Sequence, residues 1–499
     1  MRIRTVRTAS GSLAVQVIRY TDGKTKVLKH LGSAKTKERT ADLKRLGGEW
    51  IREFSGQESL LPESKEEHDL LREKYSYLGF RYGLTYETIN KILKGFGLDE
   101  NIFPQKGKIK ETFFDLVLAR IVEPASKRAS QRILSSLFGR DYQLTNIYRF
   151  LKILPTFKEE IERRLIIFAK KNLGFDFSFV LYDITTLYFE TFTQDNIRKC
   201  GFSKDNKIGQ PQILIGLVVD RTGFPLSFTV FEGNKFEGST LIPVILKFKE
   251  THQITNLTVV ADAAMISEGN IIFLKQAGLG YIVGARLGNI KLQTIKEISE
   301  RLNRLDGACL KIKTGKGYLI CSFSAKRYVK DKHEMKKRLE KAQQVLEGKG
   351  EVRRNKFLSK DKNVAYFLNK PVIDKTELLL GIKGYYTNLD LSEKVVIERY
   401  QDLWRIEKSF RISKDDLEAR PVYHFKKQAI IAHILICVTA LAVLKWIEIS
   451  TQKSARYVVN QLKGVSDGRV LNLVTNKEIL MRSKISDEVL SLLEKLSPH

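Results

Sequence analysis

The chain has 499 residues, 43% of them hydrophobic, which is more than one core usually organises and enough to give each of two to four domains its own. Lys and Arg number 86 against 57 Asp and Glu, a net charge of +29 spread along the whole length, so a polyanion is the expected partner. Ribosomal and membrane-surface proteins can be as basic, but the four cysteines (Cys200, Cys309, Cys321, Cys437) lie far apart without a C-x-x-C pair, which argues against a disulfide framework or a structural zinc site.

The first residues, MRIRTVRTASGSLAVQV, are basic and lack a signal peptide's apolar core. LAVQVIRY, the turn TDGK and TKVLKHLG read as a β-hairpin, followed by a charged helical stretch, TKERTADLKRLGGEWIREF. Residues 1–60 are therefore expected to form a small β unit plus helix. From 61 to 172 apolar residues recur at three and four, with Pro124 and Pro155 as breakers, and this predicts a helical domain. Within it SKRASQRILSSLFGRDYQLTNIYRFLKIL could be two helices around a Gly-containing turn, compatible with a DNA-reading pair or with an ordinary bundle.

Near 177 the period changes to strands: FSFVLYDITTLYFE, then PQILIGLVVD, the turn RTG and FPLSFTVFEG. A helix (STLIPVILKFKETH), a short strand (NLTVVAD), another helix (SEGNIIFLKQAG) and the strand GYIVGAR follow. Three strands on short connections, then a helix and a further strand, is the order of a ribonuclease-H-like α/β core, with a generic mixed sheet as the alternative. The core is expected at 173–287 and again at 376–450, interrupted by a basic insertion domain at 288–375, with a helical tail at 451–499. Residues 326 to 362 carry 14 Lys or Arg against six acids, a solvated helix face or a stretch that follows a phosphate backbone. The apolar run AIIAHILICVTALAVL at 429–444 falls short of the roughly 18 to 20 residues of a spanning helix and contains His433. It reads as a buried helix, with His433 in the core, and the protein as cytoplasmic with no membrane partner.

In FVLYDITT an apolar strand is interrupted only at Asp183, which reads either as a strand-end cap of the next turn or as a functional group, since burying an ionised carboxylate is costly without a cation or donor. TVVAD repeats the pattern at Asp262, and functional side chains gather at strand C-terminal ends in parallel α/β folds. A third carboxylate is expected from the helix SEKVVIERYQDLWRIEKSFRISK, where Tyr400, Glu407 and Lys414 recur at seven-residue steps, each rotated by about 20° from the last. Leu403, Ile406 and Phe410 flank that face and turn Glu407 toward the sheet. Such oxygen ligands suit Mg²⁺ or Mn²⁺, which can drive phosphodiester displacement.

LYDITTLYFE, GFSKDNKIGQPQILIGLVVDRTGFPLSFTVFEGN, VVADAAMIS and YQDLWRIEKSFRISK, in that order, resemble the motifs of bacterial DDE transposases of the insertion-sequence-four family, over roughly 110 to 445. The resemblance implies a ribonuclease-H-like catalytic core and a metal-binding triad of Asp183, Asp262 and Glu407, with Tyr400 and Lys414 on DNA phosphate. It further implies cleavage at element ends and strand transfer, and a homodimer bringing two ends together. The signature's Arg falls at Leu403; Arg405 lies two positions on, about 200° around the helix, and is the substitute candidate. The family's insertion between the second Asp and the Glu would hold Lys336, Lys337, Arg338, Arg353 and Arg354 as further DNA contacts. Trp404 could stack on a base or belong to the core. A structure-selective nuclease and an inert DNA-binding derivative remain as competing functions.

Overall fold

The computed structural model describes all residues except 22, 56–73, 100–101, 104–107, 203–208, 266, 350–354, 361–365 and 498–499, and the side chains of 49, 52, 53 and 55. The described residues form two compact units, Met1–Gly79 with Arg469–Leu480, and Phe80–Gly468 with Met481–His499.

In the smaller unit the alternating sequence at the N-terminus becomes an antiparallel meander, β1 (Arg2–Arg7), β2 (Leu13–Thr21) and β3 (Lys24–Ala34). Its inward residues Val15 and Ala34 meet Leu43 of the helix Lys37–Ser55 in a small core. A second sheet pairs β4 (Tyr75–Arg81) with the hairpin of β15 (Asp467–Asn472) and β16 (Lys477–Arg482), in the order β16-β15-β4. The sequence predicted helix at both places. The pairing joins segments almost four hundred residues apart, and local periodicity carries no signal of such a partner.

The larger unit opens with helices Gly83–Gly95, Lys108–Val122, Lys127–Phe138, Leu144–Ile153 and Lys158–Leu173. Ser126 caps the third by accepting the Ala129 amide at 3.2 Å, and Gly139 ends it at φ +63°. Buried Asp115 receives Arg140 Nε at 2.8 Å, which ties the intervening turn down into a bundle. The long helix Lys427–Thr451 runs through the core; its 18-residue apolar window is 94% buried, and His433 is buried with it. That helix is nine residues longer than the apolar run alone implied, because flanking Lys427, Trp446 and Glu448 continue it.

The described strands of this unit form an eight-stranded sheet in the order β10-β11-β14-β9-β8-β5-β6-β7. These are β5 (Val180–Tyr188), β6 (Gln212–Val219), β7 (Pro225–Glu232), β8 (Thr258–Ala261), β9 (Gly280–Ala285), β10 (Cys309–Thr314), β11 (Gly317–Phe323) and β14 (Ile382–Thr387). β5, β8 and β9 are mutually parallel, and β6 and β7 fold back as antiparallel hairpins beside β5. This is the mixed α/β sheet expected from the motif order.

The segment 288–375 is not wholly separate from that sheet. β9 leaves an open edge that β14 pairs, and β11 and β10 extend it further. Outside the sheet, the segment holds the helix Ala325–Leu346, which carries Lys336, Lys337 and Arg338, and the short pair β12 (Leu358–Lys360) and β13 (Tyr366–Leu368).

Candidate functional site

β5 and β8 meet in parallel at Val180 with Val259, Leu181 with Val260 and Tyr182 with Ala261. One step further on each chain stands a carboxylate, Asp183 and Asp262, at a strand spacing of about 4.8 Å. Asp183 is not at a strand end, as the sequence suggested. β5 continues to Tyr188 and still pairs with β6, Asp183 opposite Leu217, while β8 stops at Ala261. Apolar neighbours on both sides bury the strand, and the early end of β8 opens the space that leaves Asp183 half-buried and Asp262 exposed.

Glu407 comes from a helix that packs over this end of the sheet. Helix Glu393–Gln401 is interrupted at Asp402 and resumes as Leu403–Arg411. Leu403, Ile406 and Phe410 are buried as expected, and Ser409 Oγ donates to Gly223 O in the β6–β7 turn at 2.8 Å. Asp183, Asp262, Glu407 and Tyr400 thereby line one cavity of about 490 Å³. Among the described residues no three Asp, Glu, His or Cys side chains converge closely enough to hold one ion.

Tyr400 is 5% exposed and donates its hydroxyl to Asp262 Oδ1 at 2.8 Å, where the Ala263 amide also donates at 2.7 Å. Burial, and next the charge of Asp262, raise the Tyr400 phenol far above its ordinary value, so it remains a donor at any working pH. Its approach depends on Gly284 in β9, where a Cβ would lie 2.6 Å from the Tyr400 oxygen.

The remaining expected residues are placed differently. Lys414 lies on the π-turn Ile412–Asp416, whose wider winding breaks the seven-residue alignment with Glu407, and it is not among the residues lining the cavity. Arg405 is also absent from that lining; its Nε is 3.2 Å from Asp402 Oδ1 and its guanidinium lies over Trp404. Trp404 is 52% exposed and lines the cavity, so it is not a core residue. Arg338 lines an adjoining cavity of about 810 Å³, whereas Lys336 and Lys337 are exposed on their helix. Arg353 and Arg354, like part of the motif GFSKDNKIGQ, lie outside the described residues.

Sequence reasoning missed Lys383, on β14. It lines both cavities, and its ammonium sits 4.5 Å from the Tyr400 ring centroid and 5.6 Å from that of Tyr385. Burial lowers its pKa, as does the charge of Arg327, while Asp262 and Glu407 act in the opposite direction. In ELLLGIKGYYTN it reads as one lysine in a strand, and nothing local marks it.

The family model described as "Transposase DDE domain" matches residues 175–443, a little over half of the chain and all of the elements that line the site. No curated protein is similar enough to the chain to count as a match. Among solved structures, a cryo-EM structure of a piggyBac transposase synaptic complex with hairpin DNA covers 78% of this chain and 81% of its own. With 11% identity and a TM-score of 0.37, that likeness is too loose to argue from. The matched region holds Asp183 and Asp262 level on adjacent parallel strands with Glu407 across their cavity, and on that model the chain belongs to the transposase DDE domain family.

Proposed function

We propose that this transposase, of the insertion-sequence-four branch, cuts DNA at the ends of its element and joins the freed 3′-hydroxyl to target DNA through a ribonuclease-H-like core. The observation that carries the reading is the register that sets Asp183 beside Asp262 on parallel strands, with Glu407 lining the same cavity.

Three carboxylates offer only hard oxygen donors, which in kind fit Mg²⁺ or Mn²⁺ held by Asp183, Asp262 and Glu407. When bound, such ions supply activation of water or a 3′-hydroxyl and stabilisation of the leaving oxygen. The chain's own part is orientation. Tyr400 and the Ala263 amide both fix Asp262 Oδ1, which holds the carboxylate in one rotamer and leaves Oδ2 for the site. Ile406 and Ser409 fix the helix that presents Glu407. In-line displacement at phosphorus needs no covalent enzyme intermediate.

In this reading the helix Ala325–Leu346 follows a phosphate backbone through Lys336, Lys337 and Arg338, with Arg353 and Arg354 beyond it. The N-terminal region binds the terminal repeats, and a homodimer pairs two ends. Lys414 and Arg405 would reach phosphate outside the cavity. The test is incubation of the purified protein with Mg²⁺, labelled DNA from the borders of its own coding region and a plasmid target. End cleavage with joined product is expected. Cleavage without joining would replace transposition by a nuclease function, and no cleavage in Mg²⁺, or with Mn²⁺ in its place, would sink the reading.

A further inference from the structure

The cavity that holds the three carboxylates has a single cation among its described lining residues, Lys383. A DNA phosphate entering between three acids is repelled unless a cation meets it, and no lysine or arginine of the Glu407 helix lines the space. Lys383 is also one of three residues, with Asp262 and Tyr400, shared with the larger neighbouring cavity, where Arg327, Arg338, Lys356 and Lys375 outnumber Asp331, which pairs with Arg327 at 3.3 Å, and Glu334.

The ammonium feels the charges of Asp262 and Glu407 but is in direct contact with neither. The Tyr385 and Tyr400 rings, 4.8 Å apart, flank it through cation–π contact, and among the described residues no hydrogen bond or ion pair engages it. A half-buried cation fixed by aromatic faces has given up part of its hydration and keeps its donors for a ligand.

We infer that Lys383 forms a phosphate subsite at the junction of the two cavities, holding the backbone phosphate next to the reacting one and directing the strand toward Arg327 and Arg338. The inference rests on the proposed function and adds a residue from β14, outside the signature helix. Lys383 would be a positioning residue for the strand, with no bond made or broken at its nitrogen.

The test measures binding in EDTA, so that it is independent of cleavage. Full-length wild type, Lys383→Met and Lys383→Arg are titrated by fluorescence anisotropy against a 40-bp duplex from the border of the coding region, at several KCl concentrations. Loss of one phosphate contact is expected to weaken binding about three- to tenfold at low salt and to flatten the log–log salt slope by about 0.9, with Arg restoring the slope. Neutral methylphosphonates walked along the strand should reveal one position that weakens the wild type but not Lys383→Met. Coincident slopes and identical methylphosphonate profiles would overturn the subsite, even in a protein that cleaves normally. A lost contact in a protein that never cleaves would instead overturn the proposed function. Should Lys383→Met melt early, Lys383→Gln carries the same comparison.

Discussion

Replacing Gly284 by Ala adds one methyl group at the back of the site. Its Cβ would lie 2.6 Å from the Tyr400 oxygen, 3.0 Å from Ala263 Cβ and 3.1 Å from the Ala263 nitrogen. Both donors that hold Asp262 Oδ1 are among these atoms. Tyr400 cannot swing aside freely, since it is buried and lies 4.8 Å from the Tyr385 ring. Overpacking of this kind costs about 1–3 kcal/mol, and a lost hydrogen bond to a charged carboxylate about 1.5–3 kcal/mol. The expected total is roughly 2.5–6 kcal/mol, read as a lower urea midpoint. A displacement of Asp262 by about 1 Å would slow single-turnover cleavage about a hundredfold. Gly288→Ala is the control, because a Cβ there meets nothing within 4 Å and should shift stability by less than about 0.5 kcal/mol. If Gly284→Ala matches this control in both assays, Tyr400 and Ala263 do not position Asp262 in the way described.

Tyr400→Phe removes the donor but keeps the ring, so cleavage should fall about tenfold and stability by about 1.5–3 kcal/mol, read as a lower urea midpoint; an unchanged rate would show the hydroxyl to be idle. Ile406→Ala, at a fully buried position, should cost about 2–5 kcal/mol and depress cleavage beyond that loss, while a stability change without a rate change would separate Glu407 from its packing. Acid should destabilise the larger unit through His424 and His433. Burial first, then the charges of Lys127 and Arg120, hold His424 down to about 4 and His433 well below the ordinary histidine range. Both stay neutral when folded and gain protons when unfolded, so stability falls as pH drops from about 6.5 toward 4, by about 3 kcal/mol for His424 alone. His424→Gln should flatten that part of the urea-midpoint profile, and an unaltered slope would refute the assignment.

Most of the sheet could be read from sequence because each strand of the core carries its own apolar run. Asp262 was legible for the same reason, as the acid ending TVVAD. Asp183 was recognised but misplaced: period-two patterning reports which face a residue takes, not where the neighbouring strand stops, and the early end of β8 exposes Asp183. Lys414 followed from seven-residue spacing on an unbroken α-helix, and the π-turn at Ile412–Asp416 removes that premise. Lys383 gains its position only because β14 lies beside β9, a long-range pairing that the local sequence does not encode. The sheet of β4, β15 and β16 was hidden for the same physical reason.

The central claim is that Asp183, Asp262 and Glu407 act as one site on DNA. It is tested most directly by single-turnover cleavage of border DNA in Mg²⁺ by Asp183→Asn, Asp262→Asn and Glu407→Gln, each alongside its DNA affinity in EDTA. Each variant should bind within about threefold of wild type and lose cleavage by at least about a hundredfold. Wild-type cleavage by any one of the three would contradict the account.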